Sequence, residues 1–190
     1  PSRDCVILLL RCAQGREKLL FAPNPAAPRL HLTTANPENP AEPPMFCMLL
    51  RKHLSGARLS DIRQLPMERW AEFVFDCTDE LGYPVQKKLV AELMGRTCNL
   101  YLLDPDGRIL DCLRRVDLEM SQERQVLPGL FYHLPPAQGK RDAQQTDLES
   151  LTALLAAADA HMPLDRWLLD TFGGLSPLVC REVAYRLTGS

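Results

Sequence analysis

The 190 residues suit one large domain or one domain with a small appendage, and a hydrophobic content of 46% is ample for a core. A formal net charge of −2 excludes a chain that is basic throughout, so any nucleic-acid surface must be a local patch. The apolar runs fall far short of the roughly 20 residues a membrane helix needs, and no signal peptide is visible.

The charge is unevenly spread: residues 1–140 hold 18 Lys+Arg against 17 Asp+Glu, and residues 141–190 hold 4 against 7. Any nucleic-acid surface would therefore be a local patch on the first part. The seven cysteines are odd in number, form no CxxC and mostly stand in apolar runs. They read as small buried hydrophobes of a reducing compartment, with no zinc-ligand spacing. A cytoplasmic location, no metal and no cofactor are the corresponding expectations.

In chain order, Cys5 to Leu10 and Lys18 to Ala22 are strand-length apolar runs around Ala13-Gln14-Gly15-Arg16, a hairpin signal. Leu30 and Leu32 mark a short alternating strand. Asn36 to Pro44, with four prolines in nine residues, is a loop. From Met45 to Leu54 there is no breaker, and Phe46, Leu49, Leu50, His53 and Leu54 recur on one helical face. Pro44 suits a helix start and Gly56 a left-handed stop. Arg51 and Lys52 lie off the apolar face, as a solvated basic back or as a surface for nucleic-acid phosphate; pattern alone leaves both open.

Ala57 to Gln64 is strand-like, and Ala71, Phe73, Phe75 and Cys77 alternate with Trp70, Glu72, Val74 and Asp76. Gly82-Tyr83-Pro84 turns the chain. Gln86 to Met94 and Asn99 to Leu103 are strands separated by Gly95-Arg96, and Asp104 to Gly107 turns into a hairpin strand at Arg108 to Leu113. Leu134 to Asp142 is a proline- and polar-rich linker. Helices follow over Asp147 to Ala160, Leu164 to Phe172, and from a Ser176-Pro177 cap to about Leu187. The expected fold class is α+β, an antiparallel sheet or sandwich domain with one main helix over residues 1–140. A small helical segment of helix-hairpin-helix type is expected over residues 141–190.

Four blocks stand out. Glu68-Arg69, within "MERW", is an acidic residue beside an arginine where a turn feeds a strand; by residues alone it is a surface ion pair or a polar recognition pair. "AELMGRTCNL", from Ala91 to Leu100, offers a bulge at Gly95 with Arg96 pointing outward. "VLPGLFYHLPPAQGK", ending at Lys140, is stiffened by Pro135-Pro136. "DTFGGLSPLVCREVAYRL" is either an ordinary helical hairpin or a helix N-terminus where Gly173 and Gly174 could meet a phosphate. No GxSxG, HExxH or P-loop pattern occurs, and no catalytic residue is assigned.

With "NPENPAEPPMFCMLLRKHLSGARL", the Glu92–Asn99 block and the Leu127–Lys140 block, the chain resembles the NFACT family. These are the RqcH-like ribosome quality-control factors, long labelled fibronectin-binding protein A. The resemblance covers nearly the whole chain and implies a sheet domain similar to that of formamidopyrimidine-DNA glycosylases, without their N-terminal proline chemistry or zinc finger. It implies a further N-terminal segment, whose loss would leave part of the first layer without its pair. It implies partners: the obstructed large ribosomal subunit and tRNA, in bacteria alanyl-tRNA, for untemplated alanine tailing. Glu68 and Arg69 match the family's tRNA-binding Asp-Arg pair, with Glu in place of Asp. Glu92, Leu93, Met94 and Arg96 become candidate ribosome contacts, and Arg51, Lys52, Lys140, Gly173 and Gly174 candidate RNA-backbone contacts. The alternative function is a surface adhesin that binds fibronectin.

Overall fold

A computed structural model describes residues 5–95, 98–116, 124–136 and 138–189. The chain divides into two compact units, one of Pro1–Gln64 with Arg69–His133 and one of Leu65–Glu68 with Leu134–Ser190. The sequence placed this division at residue 140. The stretch from Leu134 goes with the second unit, where the Lys140 ammonium donates to the Leu169 carbonyl at 2.7 Å.

The first unit holds two antiparallel sheets. One has the order β1 (Val6–Cys12), β2 (Gly15–Ala22), β3 (Arg29–Leu32). The other is a meander of β4 (Arg58–Gln64), β5 (Trp70–Thr78), β6 (Pro84–Glu92), β7 (Asn99–Leu103) and β8 (Ile109–Cys112). Between them in sequence lies helix α1 (Met45–Leu54), whose start after Pro44 and stop before Gly56 follow the expected signals. Gly56 takes φ 79°, a conformation that costs a Cβ-bearing residue more than glycine.

Both sheets and α1 share one core. Val6, Leu19 and Phe21 meet Phe46 and Leu50 of α1 and Phe73, Phe75, Leu89, Leu100 and Leu102 of the meander. Phe21 and Phe73 pack edge to face at 5.1 Å, a geometry that places the ring edge of one on the π face of the other. Alternation in β5 identified the face of Phe73 and Phe75. The opposite face is covered too, since Trp70 and Val74 are also buried. β4 carries a bulge between Leu59 and Asp61, and Leu32 at the sheet edge is largely exposed.

The second unit contains α2 (Leu148–Ala156), α3 (Leu164–Thr171) and α4 (Pro177–Thr188). Asp147 caps α2 by accepting from the Ser150 amide, and Ser176 caps α4 by accepting from Val179. α2 stops short of the expected Ala160: the Ala158 amide donates to the Leu155 carbonyl at 3.1 Å in a tighter last turn, and beyond it the Asp159 carboxylate accepts from the His161 amide. Trp167 and Phe172 pack edge to face at 5.8 Å, and Cys180 is buried. No helix among the described residues is long and apolar enough to cross a membrane.

Candidate functional site

Arg69 directly precedes β5 and is exposed. No hydrogen bond or ion pair joins its guanidinium to another described residue. Its backbone is nevertheless held. The β5–β6 register sets Trp70 opposite Glu92, and one step beyond it the Leu93 amide donates to the Arg69 carbonyl at 2.8 Å. An exposed side chain thus rises from backbone tied to the end of a five-stranded sheet.

Glu68 belongs to the second unit. It closes a turn in which its amide donates to the Leu65 carbonyl at 3.2 Å, with Pro66 and Met67 at the central positions. Met67 takes φ 55°. Such a turn favours proline first and glycine or asparagine second, so a methionine there holds a strained backbone. Gly174 packs closely on this turn: a Cβ at that residue would stand 2.7 Å from Met67 Cε and 3.0 Å from the Met67 carbonyl oxygen. Glycine at 174 lets the turn backbone approach.

The expected ribosome contact Glu92 is corrected by its burial, with 0% exposure. Its carboxylate accepts from Arg124 Nη1 at 2.9 Å and Nη2 at 2.7 Å, from the Tyr101 hydroxyl at 3.0 Å and from the Tyr132 hydroxyl at 2.7 Å. Those donors use the oxygens' lone-pair sites, so no partner molecule can reach the group. The Trp70 indole N–H donates in turn to the Tyr132 hydroxyl at 2.7 Å, and Arg124 also donates to the His133 carbonyl. The Arg124 guanidinium lies 5.2 Å from the Tyr132 ring centroid and 5.7 Å from that of Tyr101. Burial works against its charge, yet the hydrogen bonds and charge of Glu92 hold its pKa above the ordinary arginine range. Burial, followed by the Glu92 charge, also pushes both tyrosine hydroxyls up, so they remain donors.

Asn99 continues the same register opposite Glu92 and is buried. Its side chain donates to the Arg114 carbonyl at 2.7 Å and accepts from the Arg114 amide at 2.9 Å. The Cys98 thiol donates to the Pro23 carbonyl at 2.9 Å. Leu93 and Met94 are half-buried. Arg96 lies outside the described residues.

The remaining candidates are dispersed. Arg51 is exposed on α1, while Lys52 pairs with Glu80 at 2.8 Å in an exposed ion pair. Lys140 is not a spare cation: its Nζ donates to the Leu169 carbonyl at 2.7 Å, near the C-terminal end of α3 where the helix dipole favours positive charge. Gly173 is corrected as a phosphate donor, because its amide donates to the Arg141 carbonyl at 2.9 Å. No group of three or more His, Cys, Asp or Glu among the described residues could hold a metal ion.

Sequence reasoning missed Trp70, Tyr101, Arg124 and Tyr132 as partners of Glu92. The one local sign was the glutamate itself, ending an apolar strand opposite a tryptophan.

Comparison with known proteins places the chain. The family pattern described as NFACT N-terminal and middle domains matches residues 1–189. The Rqc2 homolog RqcH of Bacillus subtilis (strain 168) is 37% identical over 187 residues, covering 98% of this chain and 32% of that protein. Mouse ribosome quality control complex subunit NEMF is 30% identical over 138 residues, covering 73% of this chain and 12% of that one. Among solved structures, the N-terminal domain of the fibronectin-binding protein PavA from Streptococcus pneumoniae matches with a TM-score of 0.88 and 29% identity, covering 100% of this chain and 70% of that one. The N-terminal part of the fibronectin/fibrinogen-binding protein of Streptococcus suis matches at a TM-score of 0.85 and 31% identity, covering 99% of this chain and 70% of that one. The chain spans about a third of the length of the RqcH proteins it matches. By its motifs, its sheets and these matches together, it belongs to the NFACT family.

Proposed function

We propose that this chain is the RNA-binding part of a ribosome-associated quality-control factor of the cytoplasm. The factor binds a large ribosomal subunit obstructed by peptidyl-tRNA and brings in tRNA, alanyl-tRNA in bacteria, for untemplated alanine tailing of the stalled chain. Arg69 contacts the tRNA, gripping a phosphate or stacking on an unpaired base. Glu68 accepts from a base edge or orients that guanidinium. Leu93, Met94 and Arg96 face the large subunit. The chain recognises and does not catalyse, the peptide chemistry being the ribosome's own. In the same reading the first unit is akin to the N-terminal domain of formamidopyrimidine-DNA glycosylases, and α3 with α4 acts as a helix-hairpin-helix.

The observation that carries this reading is Arg69: an exposed guanidinium on tethered backbone, at the position of the family's Asp-Arg pair. An exposed arginine of this kind adds little to stability, so its guanidinium is available to a partner. The names of RqcH and NEMF support the same reading. The test is salt-dependent binding of the chain to tRNA and to isolated large subunits, with fibronectin as the control ligand. Affinity for tRNA should fall as salt rises and should fall further for Arg69→Ala at unchanged melting temperature. Equal tRNA affinity of wild type and R69A would sink the proposal, and salt-resistant binding of fibronectin alone would favour adhesion.

A further inference from the structure

We propose that Glu92 is a positioning residue that acts on RNA recognition through Arg69, and that it touches neither ribosome nor tRNA itself. The inference rests on the proposed role of Arg69 and adds the device that aims it.

A carboxylate without water is retained only where donors replace its hydration. Here four hydrogen bonds from Arg124, Tyr101 and Tyr132 do so. Their origins are far apart in the chain: Arg124 is 32 and Tyr132 40 residues from Glu92. The carboxylate therefore ties the end of β6 to β7 and to the segment that returns through Arg124 and Tyr132.

What lies next to this knot decides its purpose. Tyr132 accepts from the Trp70 indole, so Glu92, Tyr132 and Trp70 form one hydrogen-bonded chain. Trp70 stands opposite Glu92 in the ladder, and the following backbone bond joins Leu93 to Arg69. The knot thus closes the sheet at the last pair before Arg69. Were the end of β5 to fray from β6, the Arg69 backbone would lose its tether while the rest of the ladder, from Ala71 to Thr78, stayed paired. A guanidinium that must meet phosphate or base at a defined angle needs that tether.

The experiment uses the whole chain in six forms: wild type, Arg69→Ala, Glu92→Gln, Tyr132→Phe and the two doubles with R69A. Tyr132→Phe removes the bridging hydroxyl without changing any charge, and it serves where E92Q folds poorly. Two readouts are taken, the hydrogen-exchange rate of the Leu93 amide and affinity for tRNA. The expected result is faster exchange at Leu93 in E92Q and Y132F, with the amides of Val74 and Leu89 unchanged. R69A should lower tRNA affinity about tenfold, as for loss of one charge-assisted hydrogen bond. E92Q and Y132F should lower it several-fold alone and by less than about twofold in the R69A background, since residues acting through one another are not additive. Equal losses with and without Arg69, or an unchanged Leu93 amide, overturn the proposal. So does an E92Q that weakens large-subunit binding with Leu93 exchange unchanged, because direct contact then explains it. If R69A leaves tRNA binding intact, the functional reading fails by itself. Acceleration at Leu93 would then still support Glu92 as the tether of Arg69, and its absence would overturn that as well.

Discussion

Replacing Gly174 by alanine probes the turn that leads to Glu68-Arg69. Gly174 has φ 73°, and an added Cβ would stand 2.7 Å from Met67 Cε, 3.0 Å from the Met67 carbonyl oxygen and 3.1 Å from Met67 Cβ. The methionine tip can swing away, but the carbonyl and Cβ belong to a turn already strained by φ 55° at Met67. The left-handed backbone alone costs an L residue about 1–2 kcal/mol. Overpacking against a backbone that cannot yield adds about 1–3 kcal/mol. The expected destabilisation of G174A is therefore about 3 kcal/mol. Gly139, in the same unit, has φ 67° but nothing within 4 Å of its added Cβ, so Gly139→Ala isolates the conformational part. Urea unfolding followed by far-UV circular dichroism and by tryptophan fluorescence gives both values. G174A should exceed G139A by at least about 1 kcal/mol, the low end of the overpacking cost. If the two variants match, the close approach of Met67 has no energetic weight and the reasoning fails.

Two further outcomes follow from the titratable groups. Lys87, buried, places Nζ 2.6 Å from His53 Nδ1, so the imidazole accepts from the ammonium and stays neutral. Burial first, then the charges of Lys87 and Lys52, lower the His53 pKa below its ordinary 6.5, with Glu80 opposing weakly. Below pH 6.5 the unfolded chain binds a proton that the folded chain refuses, so stability should fall as pH drops from there to the lowered folded value. Urea midpoints between neutral and mildly acidic pH should show this slope, and a His53→Gln variant with the same slope would refute the assignment. Burial and then the Asp111 charge push the Cys112 thiol up to about 12, whereas Cys12 is exposed. A maleimide at mildly alkaline pH should therefore label Cys12 in the folded protein and Cys112 only in denaturant. Peptide mapping that finds early label at Cys112 would contradict the packing around β8.

Much of the fold was readable from local pattern. α1 has no breaker between Met45 and Leu54, a proline before it and a glycine just beyond it, and those signals act within a few residues. β5, β7 and the Asp104–Gly107 turn were legible for the same reason. The site was legible only in part. Arg69 could be singled out by its motif, and its exposure suits that reading. Glu92 belonged to an equally recognisable motif but lies inside. Nothing in "AELMGR" separates a surface glutamate from a buried one, because the difference is made by Arg124 and Tyr132, distant in sequence. Lys140 and Gly173 show the same limit: the carbonyls of Leu169 and Arg141 that engage them lie across turns whose geometry no spacing reveals.

The sequence by itself determined which strands and helices form, which faces are apolar, and which polar blocks merit scrutiny, while ends such as that of α2 at Ala156 shifted by a few residues. These follow from hydrophobic period, glycine and proline, whose effects are local. Only the tertiary structure decided which polar groups remain for a partner. Whether a charge is available depends on whether folding brings a counter-charge or carbonyl to it. Here folding engages Glu92, Lys52 and Lys140 and leaves the Arg69 guanidinium exposed.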